Sequence, residues 1–115
     1  MKISTLFLAL FATASLHAKV LKCVGTEPFW DATINMDSGI VKIADATNEQ
    51  GVAIKTLITA AAGMNVDYAF VAKGKYTALV VTSNETCALE SDTKFTHSVM
   101  MLGYSKAPFF GCCKE

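Results

Sequence analysis

The chain has 115 residues, with ten lysines, no arginine, ten acidic residues, four cysteines and a formal net charge of +0. The lack of arginine and of any basic cluster removes the usual bidentate grip on phosphate and guanine, so nucleic acid is not an expected partner. After the first residues, no apolar run is long and charge-free enough to span a bilayer, which takes about 20 residues.

The chain opens on a leader. Lys2 supplies a positive start, and Ile3 to Ala14 is apolar except for Ser4, Thr5 and Thr13. Small residues follow, and Ala18 stands as the last residue before a cut. The pattern predicts a secretory signal peptide over residues 1–18, too short for a comfortable membrane anchor. Leu16 is large for the position three before that cut, so Ala12-Thr13-Ala14 offers an alternative site. Val20-Leu21-Lys22 ahead of Cys23 is not a lipobox, and no lipid is expected there. The expected mature chain, residues 19–115, forms a single β domain in the periplasm or outside the cell, with no anchor after cleavage and a monomeric state. Nine lysines then face ten acids, and the core has a modest margin.

Within that domain, residues 19–24 predict a short first strand. Gly25 to Pro28 predicts a turn or connection, with Pro28 fixing its own φ and biasing Glu27 to an extended shape. From Trp30 the alternation is clean: Trp30, Ala32, Ile34 and Met36 on one side, Asp31, Thr33, Asn35 and Asp37 on the other. Period two predicts a strand with one wet face. Asp37-Ser38-Gly39 turns the chain, Ile40 to Asp45 returns, and the polar run Asn48 to Gly51 reads as a loop. Val52 to Ala60 predicts a strand covered on both faces, with a helical turn from Ala60 to Gly63 weighed against the punctuation of Gly63 and Asn65. Val66 to Val71 and Tyr76 to Thr82 predict a hairpin about Lys73-Gly74-Lys75. Asn84 to Thr93 is a polar connection carrying Cys87. Phe95 to Tyr104 predicts a strand, and Phe109-Phe110-Gly111 a last short one. Seven or eight short strands argue for an all-β antiparallel meander, closed into a small barrel or folded as a sandwich, with no long helix.

Cys23, Cys87, Cys112 and Cys113 are an even set in a small exported domain, which implies two disulfides. A bond between the neighbours Cys112 and Cys113 would be a strained ring, and in an extended segment adjacent side chains point to opposite faces. Each should therefore reach a different partner. Cys87–Cys112 with Cys23–Cys113 is the first choice, and the swapped pairing stands close behind it. The chain-entropy treatment gives the first-choice bonds about 3.5 and 4.6 kcal/mol as upper figures.

The stretch Cys23-Val24-Gly25-Thr26-Glu27-Pro28-Phe29-Trp30 resembles the motif of a family of small bacterial envelope proteins of uncharacterised function. Those proteins carry Gly-x-Glu-Pro-Phe-Trp near the mature start, a later cysteine followed by Ser-Asp and an aromatic, and a Gly-Cys close. Here the later elements are Cys87, Ser91-Asp92, Phe95 and Gly111-Cys112. Ala88-Leu89-Glu90 replaces the Asp-Gly-Met run often found in that family. The resemblance implies an envelope location and a β fold, and no activity.

Candidate chemistry is sparse. Trp30 reads first as a core residue whose N–H finds a backbone acceptor. The sharper reading puts Phe29 and Trp30 at the rim of a ligand cleft, with Glu27 as polar partner. Glu90 and Asp92, two apart, share a side if extended and complete the candidate binding set; a pair of carboxylates on a solvated face is the ordinary alternative. His97 is the one histidine of the mature chain, and no nucleophile elbow accompanies it. No Gly-rich phosphate loop or zinc-type His/Cys spacing appears, and no cofactor or metal is expected. The expected function is an exported binding or inhibitor-like module with no identifiable catalytic site, facing a protein or small-molecule ligand in the envelope. The alternatives are a thiol redox or copper-handling protein using Cys112 and Cys113, and a small hydrolase using His97 or the acidic loop.

Overall fold

The computed structural model describes residues 19–89 and 92–115. The predicted leader and Glu90 lie outside the described residues. The strands are β1 (Val20–Thr26), β2 (Phe29–Asn35), β3 (Ile40–Asp45), β4 (Asn48–Lys55), β5 (Leu57–Ala60), β6 (Ala69–Lys73), β7 (Ala78–Ser83), β8 (His97–Leu102) and β9 (Phe109–Lys114). Among the described residues there is no helix. All ladders are antiparallel, in the order β4-β3-β2-β1-β9-β8-β7-β6-β5. Two meanders are thus stitched together where β1 pairs with β9.

The sheet nearly closes on itself. Its two ends, β4 and β5, are consecutive in the chain and separated only by Thr56. Thr56 donates both its N–H (3.0 Å) and its hydroxyl (2.6 Å) to the Gly39 carbonyl. The long path from Asn48 to Ala60 therefore leans on β3 over its first part and on β6 over its second. Nine strands replace the expected seven or eight because the chain breaks at Thr56, while 48–51 lengthens β4 without adding a strand.

The alternation of β2 does what period two requires. Trp30, Ala32 and Ile34 point into the barrel with Leu21 and Cys23 of β1, Val41 and Ile43 of β3, Leu79 and Val81 of β7, and Val99 and Met101 of β8. The turn before β3 is held by the Asn35 side chain, which accepts from the N–H groups of Asp37 and Ser38.

Several segments differ from the sequence reading. Asn48 to Gly51 is strand, opposite β3 across a register shift between Ile43 and Asp45, and its polar side chains suit a sheet end facing water. The face of β4 and β5 that was expected to be covered is open: Val52 is 41% and Leu57 73% exposed. Val66 to Tyr68 is a turn. The Asn65 side chain takes the Asp67 N–H and the Asn65 carbonyl takes those of Tyr68 and Ala69, so local capture beats the strand-like alternation. Phe95 is buried but precedes β8, and Tyr104 follows it.

The cysteines pair as Cys23–Cys113 and Cys87–Cys112. Cys23 and Cys113 face each other across β1 and β9 inside the barrel. Cys112, one residue away, points outward and, through Cys87, holds residues 87–89 against the outer face.

Trp30 is fixed just beyond the inner disulfide. Its indole N–H donates to the Phe110 carbonyl at 3.2 Å, and its ring packs against Phe109 with centroids 6.1 Å apart. Gly25 and Gly111 leave room for it: a β-carbon on Gly25 would stand 1.9 Å from the indole nitrogen, and one on Gly111 2.9 Å from the ring and 2.1 Å from the Val24 carbonyl oxygen. Overpacking of this kind costs about 1–3 kcal/mol. Gly25→Ala and Gly111→Ala are therefore expected to lower the unfolding midpoint in denaturant well beyond any outer-face substitution, and the emission of Trp30, the one tryptophan, to be blue-shifted in the native protein. Wild-type-like Gly→Ala variants, or a water-like native spectrum, would contradict this packing.

Candidate functional site

The outer face of the sheet carries the features that the core does not explain. Cross-strand register aligns Val71 with Val80, Val80 with Met100, and Met100 with Phe110. Val24 pairs with Cys112, so two residues further Thr26 falls beside Phe110, and Thr26 pairs with Phe29. A single row thus crosses five strands from β6 to β9 and β1, and reaches β2. It is apolar at every position but Thr26. Phe110 is 62% and Phe29 70% exposed.

The tip of the β1–β2 hairpin projects next to this row. Thr26 and Phe29 close it, and Glu27 and Pro28, joined by a cis peptide bond, form the two-residue turn. Both turn residues are exposed. Two open grooves meet here. The first, about 630 Å³, has a floor of Val80, Met100 and Phe110 and a wall of Cys87, Ala88 and Leu89. The second, about 1100 Å³, runs past Phe29, the edge of Trp30 and Phe95, and is lined by carboxylates of Glu27, Asp31, Asp45 and Glu49 and by Lys22 and Lys114. Thr26, Glu27 and Leu89 line both and form the divide.

The expected binding set is therefore split. Glu27 and Phe29 stand at the rim. Trp30, only 4% exposed, is a core residue with one edge at the groove. Asp92 is exposed and lines neither groove. Val80, Met100, Phe110 and Leu89 were missed. The available signal was parity: Phe109 and Phe110 cannot both face inward on one strand.

His97 sits at the end of β8 away from both grooves. Its Nε2 lies 2.8 Å from the Asp67 carbonyl oxygen, which can only accept, so that nitrogen carries the proton and Nδ1 faces the Thr96 hydroxyl at 2.7 Å. The ring pins the 61–68 loop to the barrel end. His97 lines neither of the two grooves described above. Cys112 and Cys113 are both held in disulfides, which leaves neither as a thiolate.

Asp45 links two connections at the mouth of the larger groove. Its Oδ1 accepts from the Thr47 hydroxyl (2.7 Å) and from the N–H groups of Thr47 (2.8 Å) and Asn48 (2.9 Å), and its Oδ2 from the Tyr104 hydroxyl (2.7 Å). Chiefly the Thr47 hydroxyl, then that of Tyr104, hold the Asp45 carboxyl below its usual range. Loss of solvent, then the Asp45 contact, pushes Tyr104 up to about 12.

No family model, curated protein or solved structure matches this chain. Among the described residues no helix is long and apolar enough to cross a membrane.

Asp45 and Tyr104 contribute to opposite limbs of the pH profile, and Lys19, raised from 10.5 chiefly by its hydrogen bond to Asp67, adds to the alkaline one. A depressed carboxyl stabilises the fold above its unfolded value near 3.8, and that contribution is lost as pH falls through the native value. A raised phenol stabilises below 10.0, and its contribution is lost as pH climbs towards about 12. Asp45→Asn is expected to lower the melting temperature at neutral pH and flatten its acid decline, and Tyr104→Phe to flatten the alkaline decline. Melting curves against pH check both, and unchanged limbs would contradict the linkage.

Proposed function

We propose that this protein is an exported binding module of the bacterial envelope that grips a partner protein through its outer apolar row, in the manner of an inhibitor. The observation that carries the reading is the row itself. Phe29 and Phe110 are large, rigid and exposed on a sheet whose inner face is already filled, so their burial awaits another surface. The hairpin tip with Glu27 and the ledge at Leu89 frame that row with one polar and one apolar edge. The leader pattern of residues 1–18 and the two disulfides support an oxidising compartment outside the cytosol.

The reading separates binding from folding. Outer-face truncations away from caps and core usually change stability by less than about 0.5 kcal/mol, whereas Trp→Ala in a core costs about 3–5 kcal/mol. A photo-crosslinking residue placed at Phe110 in periplasm-expressed protein is expected to give one discrete adduct, and the same residue at Lys42, on the outer face of β3, none. Phe29→Ala should erase the Phe110 adduct while leaving the melting temperature unchanged. Identical adducts from both positions, or no adduct from Phe110, would overturn the proposal.

A further inference from the structure

The two disulfides do different work. Cys23–Cys113 is an inner rung: its residues are 1% and 0% exposed and pair directly across β1 and β9. Cys87–Cys112 is an outer tether. Cys112 is 2% exposed, but Cys87 is half-buried, and the bond forms part of the wall of the smaller groove. The flap it holds, residues 84–89 and 92–96 among those described, is bonded to the sheet by backbone at its base, through Asn84 N–H to the Thr96 carbonyl and Thr96 N–H to that of Cys113. Phe95 is buried near the same end. Cys87 to Leu89 form the wall over Val80, Met100 and Phe110. The indole seat and the inner core lie on the other face of the sheet and involve neither Cys87 nor the Cys112 side chain, and Cys112 enters the β1–β9 seam only through its backbone pairing with Val24.

We propose that Cys87–Cys112 is a thiol–disulfide exchange site, and that its opening by an external dithiol frees the flap and widens the groove while the barrel stays closed. A thiolate of the dithiol attacks the reachable Cys87 Sγ, the bond to Cys112 breaks, and Cys112 leaves as thiolate and takes a proton. The second thiol of the reagent then attacks its own sulfur in the mixed disulfide and releases Cys87. Two electrons pass to the protein disulfide, and the dithiol ends as a disulfide. The inner bond is shielded because no thiolate reaches Cys23 or Cys113 without unfolding. The consequence for binding rests on the outer groove being the contact surface; the exchange itself does not.

The test uses the mature oxidised protein, dithiothreitol under native conditions, an alkylating quench and peptide mapping. Two alkyl groups per chain are expected, on Cys87 and Cys112, with none on Cys23 or Cys113 and with Trp30 emission unchanged. Trypsin should then cut after Lys94, exposed in the flap, faster than in the oxidised protein. A Cys87→Ala/Cys112→Ala variant should fold with native Trp30 emission and show the same fast cut without reductant. Four alkyl groups appearing together with a red-shifted emission, no alkylation before unfolding, an unfolded double variant, or a folded one cut at the oxidised rate would each overturn the proposal. No partner enters this experiment, so its failure is distinguishable from loss of the Phe110 crosslink.

Discussion

The indole of Trp30 is the contact on which the rest of the barrel depends. It reaches from β2 past Gly25 of β1 to Gly111 and the Phe110 carbonyl of β9, and so touches each strand of the seam that joins the two ends of the chain. Two residues away on the same inner face, Cys23 and Cys113 bond across that seam. A ring burial of about 3–5 kcal/mol and a cross-link of about 2–4 kcal/mol are together comparable with the whole stability of a small domain, about 5–15 kcal/mol. The stretch from Gly25 to Trp30 and the closing Gly111-Cys112-Cys113 are therefore two halves of one device.

Parity across that seam divides the molecule into an inside that holds the fold together and an outside that carries an exposed apolar row. Cys113 points in and Cys112 out; Phe109 points in against Trp30 and Phe110 out towards Met100. The inner member of each pair closes the barrel. The outer member builds the row and its flap. A surface with this division can be rigid where it carries apolar side chains, which lowers the ordering cost of binding.

Much of this is legible in the residues, and the reasons for the rest are physical. The alternation from Trp30 to Met36 and the turn at Asp37 to Gly39 are local signals, and the strands follow them. Adjacent cysteines in an extended segment must part, and they do. Asn48 to Gly51 looks like a loop because a sheet end facing water needs no apolar side chains. Val66 and Tyr68 imitate a strand because the hydrogen bonds of Asn65 are invisible to periodicity. The outer row is hidden for a different reason: Val80, Met100 and Phe110 are far apart in the chain, and only long-range register brings them into line.

The most direct measurement of the central role of the seam is amide hydrogen exchange on the oxidised native protein. The slowest amides should lie in β1 and β9, at Cys23, Val24, Cys112 and Cys113, with the 61–68 loop and residues 84–89 exchanging fastest. Exchange in β1 and β9 as fast as in those connections, with protection centred on β5 and β6, would contradict the account and place the keystone elsewhere.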